Sequence, residues 1–182
     1  PVPPRAPSTQ DPAKSLKYRS PLEEYRLDRN YYLLDFPDDH LDNFIADPAS
    51  VDELLEEEAE FAVSLDRAWH GIHYSLTGDP EGGRRPLCYL MSGGRFINEA
   101  RGIRCLKRAQ VSAFNQAVAQ ISDADFRNRF DPAKFETARV FVGDNGTNGD
   151  ANADYLLQYF KVLKSFLAEA SDNEVGILIW SA

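Results

Sequence analysis

Residues 156–180 read LLQYFKVLKSFLAEASDNEVGILIW, and the period of the apolar positions changes once within them. Leu156, Leu157, Phe160, Leu163, Phe166 and Leu167 are spaced for a helix that buries one stripe. Val175 to Trp180 is then apolar apart from Gly176, which at strand length predicts a strand covered on both faces. Such a strand beside an amphipathic helix points to a sheet covered by helices.

Upstream, short strands and helices alternate without an internal repeat. Tyr31 to Leu34 reads as a strand ended by Asp35, Phe36 and Pro37. Asp38 or Asp39 is placed to cap a helix through Leu41, Phe44 and Ile45, which Asp47-Pro48 stops. Ser50 with Glu53 is a capping-box pattern opening a helix from Val51 to about Val63, and SLDRAWHGIHYSLTG carries a third helix. After the loop from Gly78 to Pro86, PLCYLM reads as a buried strand and Ile103 to Leu106 as another. Helical spacing returns at Val111, Phe114, Val118 and Ile121, and again at Phe126 and Phe130. ARVFVG is a further strand candidate and GDNGTNGDAN a mobile loop. The expected fold is a single α/β (mixed) domain over residues 25–182, one mixed β-sheet packed with several helices. A disordered or extended Pro-rich tail, residues 1–24, precedes it.

Of the 182 residues 43% are hydrophobic and 12% aromatic, enough for one buried core, so wholesale disorder is excluded. Acidic residues number 29 against 20 basic, a net charge of -9, which argues against nucleic acid as a partner. No apolar run approaches the ~20 residues of a membrane span. Cys88 and Cys105 form no CxxC pair and read as buried, reduced thiols of a cytoplasmic protein.

The net charge conceals a division. Residues 23–60 hold fourteen acids against Arg26 and Arg29, a net -12, whereas residues 84–139 hold five acids and eleven bases, a net +6. Either the two blocks face each other or water, or segment 38–60 is an acidic docking face for a basic partner. In the second case Asp52, Glu53, Glu56, Glu57 and Glu60 are its contacts, since DELLEEEAE is denser in charge than solubility requires.

On the third helix, Leu65, Ala68, Trp69, Ile72 and Leu76 share an arc of roughly 100 degrees and form its core face. Asp66, His70 and His73 fall on one flank of that arc, a spacing that permits a base with its orienting carboxylate. Without HExxH, and with His40 as the one other histidine, no metal site is expected. The alternative is that Asp66 pairs locally and His73 bonds inside the fold. SGGR fits a turn rather than a phosphate loop, GDNGTNGD lacks two calcium-loop oxygens, and no GxSxG elbow occurs. No cofactor is expected.

LDRAWHGIHYSLTGDP, then PLCYLMSGG, then YFKVLKSFLAEASDNEVGILIWSA, in that order, resemble the YfbM-like family of small bacterial proteins of unknown function over most of residues 30–182. Asp47-Pro48, Asp66 to His73, Gly93-Gly94, Arg129 to Pro132 and Gly176 to Trp180 carry the match. The resemblance implies a single cytoplasmic α/β domain without an established reaction, and any pocket of the family would involve Trp69, His70 and His73. Small acidic domains without catalytic machinery often partner other proteins. The first functional expectation is therefore a non-catalytic protein-binding module, an immunity or inhibitor protein being one form, whose acidic face 38–60 meets a basic partner such as a cognate toxin. The alternative is a small-molecule-binding protein or enzyme built on Asp66, His70 and His73 beside Trp69, with Arg95 or Arg101 holding an anionic ligand. A structural subunit with a large apolar self-interface is a third.

Overall fold

Leucine and isoleucine on both sides of one strand require a partner layer on each, and the fold supplies two. The structure, a computed structural model, describes residues 29–142 and 149–182. The tail expected over residues 1–24 and residues 143–148 of the expected loop lie outside them. In chain order the elements are β1 (Tyr31–Phe36), α1 (Asp38–Ala46), α2 (Ser50–Glu57), a 3-10 turn (Ala59–Phe61) and β2 (Val63–Ser64). A second 3-10 turn (Asp66–Ala68) leads into α3 (Trp69–Thr77), and a third (Leu87–Leu90) precedes β3 (Arg95–Asn98) and β4 (Ile103–Leu106). Then come α4 (Arg108–Ala119), α5 (Asp123–Asn128), α6 (Pro132–Thr137), α7 (Gly149–Asp172) and β5 (Gly176–Ser181).

The strands form one sheet in the order β2-β1-β5-β4-β3, with every pairing antiparallel. β5 lies at its centre, Leu33 opposite Ile179 and Leu34 opposite Leu178, so successive residues serve opposite faces. Leu33, Leu106, Ile177 and Ile179 join the larger core with α3, α4 and α7. Leu34, Ile103, Cys105, Leu178 and Trp180 join a smaller one with Leu41 of α1 and Val51 of α2. This is the α/β architecture expected, with one sheet between two helical layers, but the sheet is antiparallel rather than mixed: β5 runs opposite to both its neighbours, β1 and β4, and the edge strands β2 and β3 return antiparallel as well. Gly176 lets α1 approach closely: a Cβ there would lie 2.5 Å from Leu41 Cδ1 and 2.6 Å from the Leu106 carbonyl oxygen.

Several local expectations are corrected. PLCYLM is not a strand: Leu87–Leu90 is a 3-10 turn whose Cys88, Tyr89 and Leu90 are buried. Its terminal carbonyls take the guanidinium of Arg104, and a short apolar run does not by itself distinguish a strand from a buried helical turn. ARVFVG forms no strand among the described residues, because the Phe141 N–H donates to His70 rather than to a neighbouring strand. The helix expected to reach Val63 ends at Glu57, since Val63 and Ser64 pair with Leu33 and Tyr32 of β1 instead. Ser50 makes no capping box; its hydroxyl donates to the Asp47 carbonyl. Pro37 rather than an aspartate precedes α1, and the Asp38 carboxylate instead accepts the Arg108 N–H at the start of α4. The loop expected over 143–152 does not extend through its last four residues, because α7 begins at Gly149. Cys88 and Cys105 are buried free thiols, as expected.

Candidate binding groove

Helix α2 rests on the smaller core through Val51, Leu54 and Leu55, which leaves Glu53, Glu56 and Glu57 exposed on its other side, with Glu60 beyond its end. Beside it opens a groove of about 440 Å³ lined by Tyr32, Asp52, Leu55, Glu56, Ala59, Arg101, Ile103 and the chain end from Trp180. Tyr32 and Trp180, opposite each other on β1 and β5, stack with ring centroids 5.4 Å apart and form an aromatic floor. On the rim the guanidinium of Arg101 donates to the Asp52 carboxylate, both side chains being about half exposed. Arg101 sits in the β3–β4 turn, where Gly102 adopts φ 69° and the Arg101 N–H donates to Asn98 Oδ1.

The two charge blocks meet at three points. Arg108 lies 3.8 Å from Asp38, Lys107 2.8 Å from Asp42, and Arg101 meets Asp52. Lys107 also donates to the Asp38 carbonyl. Among the described residues, Glu53, Glu56, Glu57, Glu58 and Glu60 make no ion pair. Of the acidic segment, Asp38 and Asp42 on α1 and Asp52 on α2 are therefore paired, and the glutamates from Glu53 to Glu60 are not.

Asp66, His70 and His73 do not converge. Asp66 has φ 50° and stands in the 3-10 turn before α3, so the helical flank does not extend to it. Its Oδ2 accepts from Tyr155 at 2.9 Å and Tyr159 at 3.3 Å, and Arg67 approaches its Oδ1 at 4.0 Å. Burial, reinforced by that carboxylate, raises the pKa of both phenols. His70 is buried; its Nδ1 accepts the Phe141 N–H at 3.0 Å, which leaves Nε2 to donate to the Pro80 carbonyl at 3.0 Å. His73 is 0% exposed and neither ring nitrogen reaches hydrogen-bond geometry, although the Gly82 backbone lies close enough to favour the charged form. Burial holds its pKa down at about 4. Trp69 is a core residue: it stacks on Tyr31 at 4.5 Å and its Nε1 donates to the Arg29 carbonyl. Arg95 lies on edge strand β3 opposite Cys105 and does not line the groove. No group of three His, Cys, Asp or Glu side chains among the described residues could hold a metal ion.

Of the side chains singled out from the sequence, the fold thus gathers Asp52, Glu56 and Arg101 in one place. Tyr32 and Trp180 were not legible as site residues, because only the β1–β5 register joins them. Arg104 was also missed. It is 1% exposed and donates to the carbonyls of Tyr89, Leu90 and Gly93, and the one charge within the buried run IRCL was its signal.

No helix among the described residues is long and apolar enough to cross a membrane. No curated protein matches the chain. The crystal structure of YfbM from Escherichia coli, a protein of unknown function, superposes with a TM-score of 0.64 at 13% identity, covering 85% of this chain and 99% of that one, a likeness of fold. The family model described as a domain of unknown function, DUF1877, matches residues 29–180, and the chain belongs to that family.

Proposed function

We propose that the protein is a non-catalytic, cytoplasmic protein-binding module that presents α2 and the groove beside it to a basic partner, an immunity or inhibitor protein against a toxin being one form. The observation that carries this is the unpaired run of carboxylates from Glu53 to Glu60 beside an aromatic-floored groove. Carboxylates already paired inside the fold have little field left to offer, whereas these steer a cationic surface and fix its orientation. The aromatic floor adds what charge alone lacks, an apolar surface against which a partner side chain sheds water on docking. Nothing in the geometry favours the alternative built on Asp66, His70 and His73, whose side chains serve three separate environments.

The test is affinity capture at low salt by the protein and by its E53Q/E56Q/E57Q/E60Q variant. The expected outcome is a basic protein held by the first, released as salt rises, and bound at least about tenfold more weakly by the second. Equal capture by both, or no partner at low salt, contradicts the proposal.

A further inference from the structure

We infer that the groove beside α2 receives one arginine side chain of the partner, and that Arg101 of this chain is its built-in competitor. The inference rests on the function proposed above and specifies what the groove recognises. Its lining carries two carboxylates, Asp52 and Glu56, over the Tyr32–Trp180 floor. A guanidinium matches that combination, because its planar fork pairs with a carboxylate while its face lies on an aromatic ring. At about 440 Å³ the groove falls within the ~300–1,000 Å³ range of small-ligand pockets and has room for a side chain with its flanking backbone.

The fold itself shows the carboxylate half of this chemistry. Arg101 reaches over from the β3–β4 turn to place a guanidinium on Asp52, and leaves Glu56 without an ion pair. An incoming arginine finds Glu56 free and Asp52 taken. Since the Arg101–Asp52 pair is half exposed, it holds its geometry weakly and yields to a better-placed guanidinium. Arg101 thus lowers affinity for isolated cations and reserves the groove for an arginine delivered with further contacts to α2.

The probe is the peptide Gly-Gly-Arg-Gly-Gly, with its citrulline counterpart as the uncharged control, titrated against isotope-labelled protein while the Trp180 indole signal is followed by NMR. The expected result is weak binding of the arginine peptide, threefold to tenfold tighter binding by R101Q, at least threefold weaker binding by E56Q, and no binding of the citrulline peptide. Melting curves of R101Q and E56Q confirm that both fold, as their exposed positions lead us to expect. Unchanged affinity in R101Q, or citrulline binding as well as arginine, overturns the inference. If capture of a basic partner fails while R101Q still tightens the peptide, the arginine site stands and the partner-binding reading falls. If capture succeeds while R101Q changes nothing, the partner-binding reading stands and the arginine site falls.

Discussion

Among the described residues His73 and Arg104 are buried without an ion pair, and both ring nitrogens of His73 and the Nε of Arg104 lack a hydrogen-bond partner. For His73 the consequence is a stability that depends on pH. Its folded pKa of about 4 lies below the 6.5 of a free imidazole, so the neutral form is the folded one. Its contribution is full above pH 6.5 and is lost as pH falls from 6.5 towards 4, roughly 3 kcal/mol in all. Burial sets the sign; Asp79 opposes it and Arg104 reinforces it. Denaturant unfolding at pH 7.5 and 4.5 should show H73L losing about 2 kcal/mol less than the unsubstituted protein over that interval. Equal losses would mean that the imidazole is not held neutral. Arg104 organises the Leu87–Leu90 turn through three carbonyls, a geometry that one ammonium on a thinner stem does not reproduce. R104K should cost about 2–3 kcal/mol by the same measurement, and a loss below about 0.5 kcal/mol would show that the carbonyls do not depend on the fork.

Among the elements, those with a single strong period were legible and those decided by a distant partner were not. β5 and α7 followed from one stretch of sequence, because the three-four spacing of α7 permits one arrangement and the β-branched, aromatic-ended run after it is of strand length. PLCYLM is as apolar as β5 and ARVFVG carries one charge in an otherwise apolar run, but their backbone groups are engaged by Arg104 and His70, which no local pattern reveals. The Asp66, His70 and His73 flank failed because the 100-degree construction assumes a continuous helix, and the positive φ at Asp66 breaks it. The acids of α2 were legible because helical spacing alone sorts Val51, Leu54 and Leu55 inward. The close approach of α1 to β5 gives a prediction for Gly176. In G176A the new methyl meets Leu41 and the Leu106 carbonyl, which overpacking makes destabilising by about 1–3 kcal/mol. A melting temperature within about 1 °C of the unsubstituted value would show that α1 yields freely.

Across the whole molecule, the net -9 is a poor description of its charge. The basic middle, carried on the β3–β4 turn and the start of α4, pairs with Asp38, Asp42 and Asp52. Those pairs are largely exposed and contribute little to stability, so they mark where the blocks meet rather than what holds them together. The blocks do face each other at three points, and among the described carboxylates that make no ion pair, Glu53, Glu56, Glu57, Glu58 and Glu60 follow one another along and just beyond α2, beside the groove. The most direct measurement is the affinity of the captured partner as a function of salt, for the protein and for E53Q/E56Q/E57Q/E60Q. We predict that affinity falls by at least about tenfold between roughly 50 and 500 mM salt, and that the variant loses most of that dependence. An affinity indifferent to salt, or a dependence that the variant retains in full, would contradict the assignment of α2 as the docking face.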